Sequence, residues 1–501
     1  MKRVFTIAIM CCLVLTASAQ TQTLNVRVGQ VNYVFKTASV GEMNFVEGSS
    51  LIINGKAFGV IDSSSASDDF IDEISLGDNE VADNTVDVVY NGSTANVVVA
   101  GNIASKLKVT ATGAAVSVVQ DESLQQEVTY TLSGSSSNGL FTMDGDYKAT
   151  VVLNGLTLTN ASGAAIDIQN GKAITVTLKG ANTLSDGAGG SHSATLYIDG
   201  HPTFSGEGSL TLKGLTKHAF ASDEYAVVAG GTITVSQAAS DGFHINERFQ
   251  MDGGSLNITS SGDAIDVGFR GVNKGTKDQY ERNGFIELNG GTIVATCSGA
   301  GAKALKADST IVIAGATVTA TTSADAFFDT AENDISSSSA VKADGDFRMT
   351  SGTLTATSTG SGGKGINATG AVTISGGNIY VTTTGDVFET ATDDTKPQGI
   401  KSDANITITG GSVYVCAGSY DGKATAFKPG DSGIFTINGG TVMGIARKKT
   451  TVAATSTQKT ASASSQKITA GQNYSLSGVS YTIPAGYNNT SANVIVSRPG
   501  L

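Results

Sequence analysis

The 501-residue chain has no tryptophan, five prolines, four cysteines and four histidines, and only 15% of its residues are charged. Without Trp there is no indole ring to stack on a flat ligand. Cys11 and Cys12 fall in an apolar leader, and Cys297 and Cys416 lie several repeats apart, which excludes a disulfide framework and predicts two free thiols. A 40% hydrophobic chain with so little charge is not disordered, and its 62 glycines follow no strict triplet, which excludes collagen. The formal net charge of −12 disfavours an electrostatic grip on nucleic acid or an acidic membrane. Beyond the leader, no apolar run is long enough to span a bilayer. Gly-x-Ser-x-Gly, His-Glu-x-x-His and Cys-x-x-Cys are all absent.

The leader is the first feature present. Lys2-Arg3 precedes an apolar run from Val4 to Leu15, and Ala17-Ser-Ala19 offers a small-residue cleavage site before Gln20. Residues 1–19 therefore read as a secretory signal peptide, and the mature protein is expected to be secreted or held at the cell surface. Bulky Met10 stands where a lipoprotein site wants a small residue, so that reading is weaker.

The rest of the chain is repetitive. Residues 20–78 form an opening β segment and linker, with a hairpin expected at Leu51-Ile-Ile-Asn-Gly-Lys56. From about residue 79 short β-branched segments alternate apolar and polar residues, and no window of twelve has a helical period. Gly-Gly pairs punctuate the second half, their second members at Gly231, Gly254, Gly291, Gly377, Gly411 and Gly440, with Gly352 between. Such turns want positive φ, which glycine supplies without a Cβ penalty. Asp325 to Gly411 says the same thing twice: Asp325-Ala-Phe-Phe-Asp and Asp386-Val-Phe-Glu each lead to an acidic loop, a Lys-x-Asp and a glycine turn. Repeats of roughly 22–25 residues with two or three strands predict an all-β, right-handed parallel β-helix (a solenoid) over 79–447, closed by a C-terminal loop and capping strands over 448–501.

Charged residues recur before these strands. Asp241 and Asp263 are 22 residues apart, as are Lys303 and Asp325. Stacked one repeat apart at about 4.8 Å, Lys303 with Asp325 and Lys364 with Asp386 are expected to neutralise one another. Asp241 above Asp263 would repel unless one is protonated, splayed away or bridged by a cation. With Asp266 nearby, oxygen ligands in a secreted protein favour Ca²⁺, and His244, three residues after Asp241, could join such a site. A second acidic cluster lies in the inserted loops, at Asp329, Glu332 and Asp334 and at Glu389, Asp393 and Asp394. Lys306-Ala-Asp308, Lys342-Ala-Asp344 and Lys401-Ser-Asp403 read as turn chemistry.

Asp241-Gly-Phe-His244, Lys396-Pro-Gln-Gly-Ile-Lys-Ser-Asp403 and Ile406-Thr-Ile-Thr-Gly-Gly-Ser-Val413 resemble the calcium-carrying carbohydrate-binding β-helix family of secreted bacterial proteins, whose fold is similar to pectate lyases. Tyr130-Thr-Leu-Ser-Gly134, Val152-Leu-Asn-Gly-Leu156, Gly163-Ala-Ala-Ile166 and the closing Ile483-Pro-Ala-Gly-Tyr487 and Val496-Ser-Arg-Pro-Gly500 extend the resemblance from about residue 80 to the end. It implies a module that binds calcium and an acidic polysaccharide such as polygalacturonate, without established cleavage. The family's calcium positions carry over to Asp241, Asp263 and then Asp325, with Lys303 and Lys364 departing from the acidic pattern. Asp266 and Asp329 complete the candidate metal set.

Three functions are expected on these grounds. The first is non-catalytic binding of an acidic glycan bridged by Ca²⁺, by a protein expected to be monomeric, with Tyr225, Tyr280, Tyr380 and Tyr414 as possible sugar contacts. The second is a lyase of pectate-lyase type, for which Lys303 or Arg270 is the proposed base. The third is a structural or adhesive surface protein.

Overall fold

The computed structural model describes residues 22–46, 50–60, 70–79, 81–187, 193–269, 282–418 and 423–501. The leader with Cys11 and Cys12, Arg270 and Tyr280 lie outside the described residues. Every extended element is a strand, and no helix among the described residues is long and apolar enough to cross a membrane. The chain divides into two compact units, Met1–Gly190 with Leu196–Pro202, and Ser191–Thr195 with Thr203–Leu501.

In the first unit, Thr23–Val28 pairs antiparallel with both Val31–Lys36 and Glu73–Gly77. The opening segment is not separate from the repeats, because Val31–Val34 pairs in parallel with Val97–Ala100. The expected hairpin forms between Ser50–Ile53 and Lys56–Gly59. Its two turn residues, Asn54 at φ 46° and Gly55 at φ 83°, have the positive φ that a tight Asn-Gly hairpin turn demands.

In the second unit, each circuit of the chain adds one strand to each of three ladders. One ladder carries Phe243–Asn246, Ile265–Gly268, Lys303–Ala307, Ser339–Ala343, Lys364–Ala368, Gln398–Ser402 and Thr425–Lys428, all in parallel register. The interior is built from columns of equivalent apolar residues. Ile233, Leu256, Ile293, Val318, Leu354, Ile379, Val413 and Val442 are register partners in succession, and each is fully buried.

The expectation of a right-handed β-helix solenoid is corrected by this pairing. The parallel strands close into a barrel of twelve, with further strands outside it. The ladders merge where a long strand serves two of them. Ala149–Asn160 pairs with Ala173–Lys179 along its first half and Ala181–Asp186 along its second. Ile311–Thr322 does the same with Phe285–Leu288 and Thr292–Cys297. Phe347–Ser358 does so as well, with Val372–Ile374 and Asn378–Thr383, running through Ser351-Gly352, whereas each Gly-Gly turn named above ends one strand and starts the next. At Ala314-Gly315-Ala316 a single glycine stands there, and the strand runs through.

The second glycines behave as expected. Gly231, Gly254, Gly291, Gly377, Gly411 and Gly440 have φ between 76° and 82°. A Cβ on Gly411 would also lie 2.5 Å from the Gly377 carbonyl oxygen. Gly411→Ala should therefore cost at least the roughly 1–2 kcal/mol of a left-handed non-glycine residue, read as a lowered thermal midpoint. An unchanged midpoint would show that this turn carries no such constraint.

At the C-terminus, Asn489–Ser497 runs antiparallel to Thr441–Ala446 and also pairs with Thr460–Ile468. Part of the stretch expected to be loop is thus a strand. Cys297 and Cys416 are free and buried, in agreement with the sequence.

Candidate functional site

Two polar sites lie on the second unit. The first gathers around Asp241. His218, Asp241, His244 and Asp266 come from consecutive repeats, with His244 and Asp266 direct register partners. Asp241 Oδ2 lies 3.1 Å from His218 Nδ1 and 3.3 Å from His244 Nδ1, and Asp266 Oδ2 lies 3.0 Å from His244 Nδ1. The two imidazoles stack with centroids 4.4 Å apart and planes 15° apart. Sequence reasoning names three of the four and misses His218, although it stands 23 residues before Asp241, one repeat away.

The charges here are strongly coupled. Burial works against the Asp241 carboxylate, yet the two imidazoles outweigh it and hold its pKa below the usual range. Asp241 and Asp266 push the His244 imidazole up to about 9. Asp266 is likewise disfavoured by burial, but His244 and Lys306 together lower its pKa, Lys306 Nζ lying 2.7 Å from Oδ1.

Asp263 has another role. Asp241 Oδ1 accepts the Asp263 backbone N–H at 2.8 Å, and Asp263 Oδ1 accepts that of Lys303 at 2.7 Å. These carboxylates tie one repeat to the next. Burial pushes Asp263 up to about 6, with Lys303 opposing and the neighbouring Asp266 and Asp241 adding to it. Asp241 Oδ2 faces the histidines and Asp263 Oδ1 the Lys303 backbone, yet the repulsion expected between the two carboxylates persists in the raised pKa of Asp263. Asp325 makes the same kind of tie, its Oδ1 accepting the Ser361 N–H at 2.6 Å.

The stacked pairs Lys303–Asp325 and Lys364–Asp386 do not form. Asp325 and Asp386 each precede an inserted hairpin, Phe327–Asp329 with Asp334–Ser336 in one case and Phe388–Glu389 with Asp394–Thr395 in the other. The strand that continues the ladder comes after the hairpin, so the residues in register are Lys303, Ser339, Lys364, Gln398 and Thr425.

That shift creates the second site, a groove of ≈ 580 Å³ with Lys303, Lys342, Lys364 and Lys401 along it and Asp329, Asp334, Asp393 and Asp394 from the hairpins. Lys342 and Lys401 pair with Asp344 and Asp403, each one residue past the end of the lysine's strand. Lys303 Nζ donates to Ser336 Oγ at 2.9 Å. Lys364, only 5% exposed, donates to Ser337 Oγ, to Thr395 Oγ1 at 2.7 Å and to the Gly362 carbonyl at 3.5 Å. Neither Lys303 nor Lys364 has a carboxylate within ion-pair distance among the described residues. Burial, aided by Lys401 and Lys342, brings Lys364 down to about 7.

The remaining candidates divide. Asp329 Oδ1 accepts the Ala331 N–H at 2.9 Å inside its hairpin. In the other hairpin Glu389 and Asp394 are held by Lys423 at 3.1 and 2.9 Å, and Asp394 by Lys396 at 2.7 Å. Tyr414 is stacked under Tyr481 at 4.6 Å and packs on the C-terminal core, so its ring is not an open platform. Tyr225 faces the Arg248 guanidinium at 4.9 Å.

Comparison with known proteins bears on this arrangement. A family model described as carbohydrate-binding domain-containing protein matches residues 112–387 and residues 345–449, together more than half of the chain. No curated protein matches it. A solved structure described as the polysaccharide lyase-like protein from C. thermocellum, a gadolinium derivative, is 22% identical with a TM-score of 0.40, over 48% of this chain and 91% of that one.

Proposed function

Since the chain belongs to the family of carbohydrate-binding domain-containing proteins, we propose that it is a secreted or cell-surface module that holds an acidic polysaccharide in the lysine-lined groove. The observation that carries this reading is Lys303 and Lys364, two ammonium groups set in a groove and bonded to hydroxyls and a carbonyl rather than to carboxylates. A uronate carboxylate supplies the missing counter-charge, and charge-assisted hydrogen bonds are about twice as strong as neutral ones. The net charge of −12 opposes a polyanion at long range, so recognition is local to this floor. Calcium bridging belongs to the same reading at the hairpin bearing Asp329, Glu332 and Asp334. Its oxygen donors suit that ion, and the lysines that neutralise the other hairpin do not reach it.

The test is a pull-down of the mature protein on polygalacturonate and on a neutral glucan, with calcium and with chelator. Retention on polygalacturonate alone, weakened roughly tenfold or more by Lys303→Gln, a loss of about 1.4 kcal/mol, is the expected result. Equal retention on both polymers, or none on either, overturns the acidic-glycan reading and leaves a structural or adhesive role. A chelator effect separates the calcium component from the lysine floor.

One observation favours a lyase as the second reading. An amine poised near neutrality, as Lys364 is, suits a proton acceptor. Unsaturated ends accumulating on polygalacturonate would establish that reading.

A further inference from the structure

We propose that His218, Asp241 and His244 form a binding site for a divalent transition-metal ion of the zinc class, with Asp266 against His244 from the next repeat. Two imidazoles among three donors do not suit calcium, which takes oxygen ligands, whereas imidazole and carboxylate together suit zinc and its neighbours.

The spacing carries the argument. Ligands about 2.0–2.1 Å from a tetrahedral zinc ion lie roughly 3.3 Å from one another. The His218 Nδ1–Asp241 Oδ2 and Asp241 Oδ2–His244 Nδ1 separations are 3.1 and 3.3 Å, and the ligand atoms of these three residues all lie within 4.8 Å of one another. Each carboxylate is held by one oxygen and offers the other. Asp241 Oδ1 takes the Asp263 N–H and Asp266 Oδ1 takes Lys306 Nζ, so both Oδ2 atoms point at the imidazoles. Such outer contacts are what orient metal ligands.

The nitrogens are the independent observation. His244 Nδ1 is a buried atom with no hydrogen bond of acceptable geometry, although two carboxylate oxygens lie within 3.3 Å. His218 Nδ1 lies 3.1 Å from Asp241 Oδ2 and 3.3 Å from the Asp241 backbone nitrogen. The His244 side chain is 34% exposed, which gives an ion a way in.

The test is calorimetric titration of the chelator-treated, full-length mature protein with Zn²⁺, and with Ca²⁺ as control, alongside Co²⁺ absorption spectra. One Zn²⁺ per chain, a raised thermal midpoint and the intense visible bands of four-coordinate Co²⁺ are expected, with no response to Ca²⁺ at the same site. His244→Gln and Asp266→Asn should each weaken Zn²⁺ binding about 100-fold. Both leave the Asp241 backbone tie in place, and unchanged circular dichroism would certify folding. No Zn²⁺ uptake, or uptake unaffected by either variant, overturns the site and leaves a His244 ion pair with two carboxylates. Because these residues are distinct from the groove lysines, glycan binding can fail without affecting this result, and the reverse.

Discussion

Lys364→Met is expected to make the protein more stable and less able to hold its glycan. Lys364 is almost fully buried, and its pKa falls from the ordinary 10.5 to about 7. A group whose folded pKa is depressed this way binds its proton more readily in the unfolded chain between about pH 7 and 10.5, so wild-type stability rises with pH across that window. Below about pH 7 the cost is fully present. Replacing buried charged groups by apolar side chains of similar volume gains on the order of 1–4 kcal/mol, so the thermal midpoint of the Met variant should exceed wild type by several degrees at pH 6. The difference should close towards pH 10.5. The hydroxyls released by the substitution are not stranded, because Ser337 Oγ and Thr395 Oγ1 already lie 3.2 Å apart. Retention on polygalacturonate should fall at least tenfold in the same variant. A Met variant that is less stable than wild type at pH 6 would mean that the hydroxyl cage outweighs desolvation. A more stable variant with unaltered retention would remove Lys364 from the binding floor.

Much of the scaffold was legible because it is written in backbone chemistry. The second glycines of the Gly-Gly turns had to take positive φ, and they do. The alternating β-branched segments had to be strands, and their apolar members stack as buried columns. Closure of the barrel was not legible. It depends on Ala149–Asn160, Ile311–Thr322 and Phe347–Ser358 running through a corner that the Gly-Gly pairs break, and in sequence Ala314-Gly315-Ala316 is only a weakened version of the turn. The sites were half legible for a similar reason. Reading Asp325 and Asp386 as members of the column assumed that a motif keeps its register, whereas ten or so residues of hairpin displace the true partners to Ser339 and Gln398. The lysine groove therefore had no signature, since its floor and walls come from different elements of three repeats. The histidine cluster did have one. His218 to Asp241 and His244 to Asp266 are each one repeat apart, a spacing visible once the repeat is known.

The C-terminal closure is a second point of large sensitivity. Thr441–Ala446 is followed by no further parallel strand, and Asn489–Ser497 covers it in the antiparallel sense. Tyr487 is the largest fully buried side chain of that cover. It is fully buried against Ile445, Ile468, Ile483 and Val494, and its hydroxyl lies 3.3 Å from the Ile445 carbonyl and 3.4 Å from that of Ala417. Tyr487→Ala should cost about 3–5 kcal/mol, the usual toll for emptying an aromatic site, while Tyr487→Phe should cost only about 0.5–1.5 kcal/mol for the lost hydrogen bond. Beyond the lower thermal midpoint, the Ala variant should associate with rising concentration in light scattering, because a loosened cover presents the N–H and C=O groups of Thr441–Ala446 to other molecules. The Phe variant should stay dispersed. If Tyr487→Ala lowered the midpoint without association, the edge would be protected by something other than this cover. If it left the midpoint within a degree of wild type, the C-terminal strands would be dispensable to the stability of the stack, and the covering role assigned to Asn489–Ser497 would fail with it.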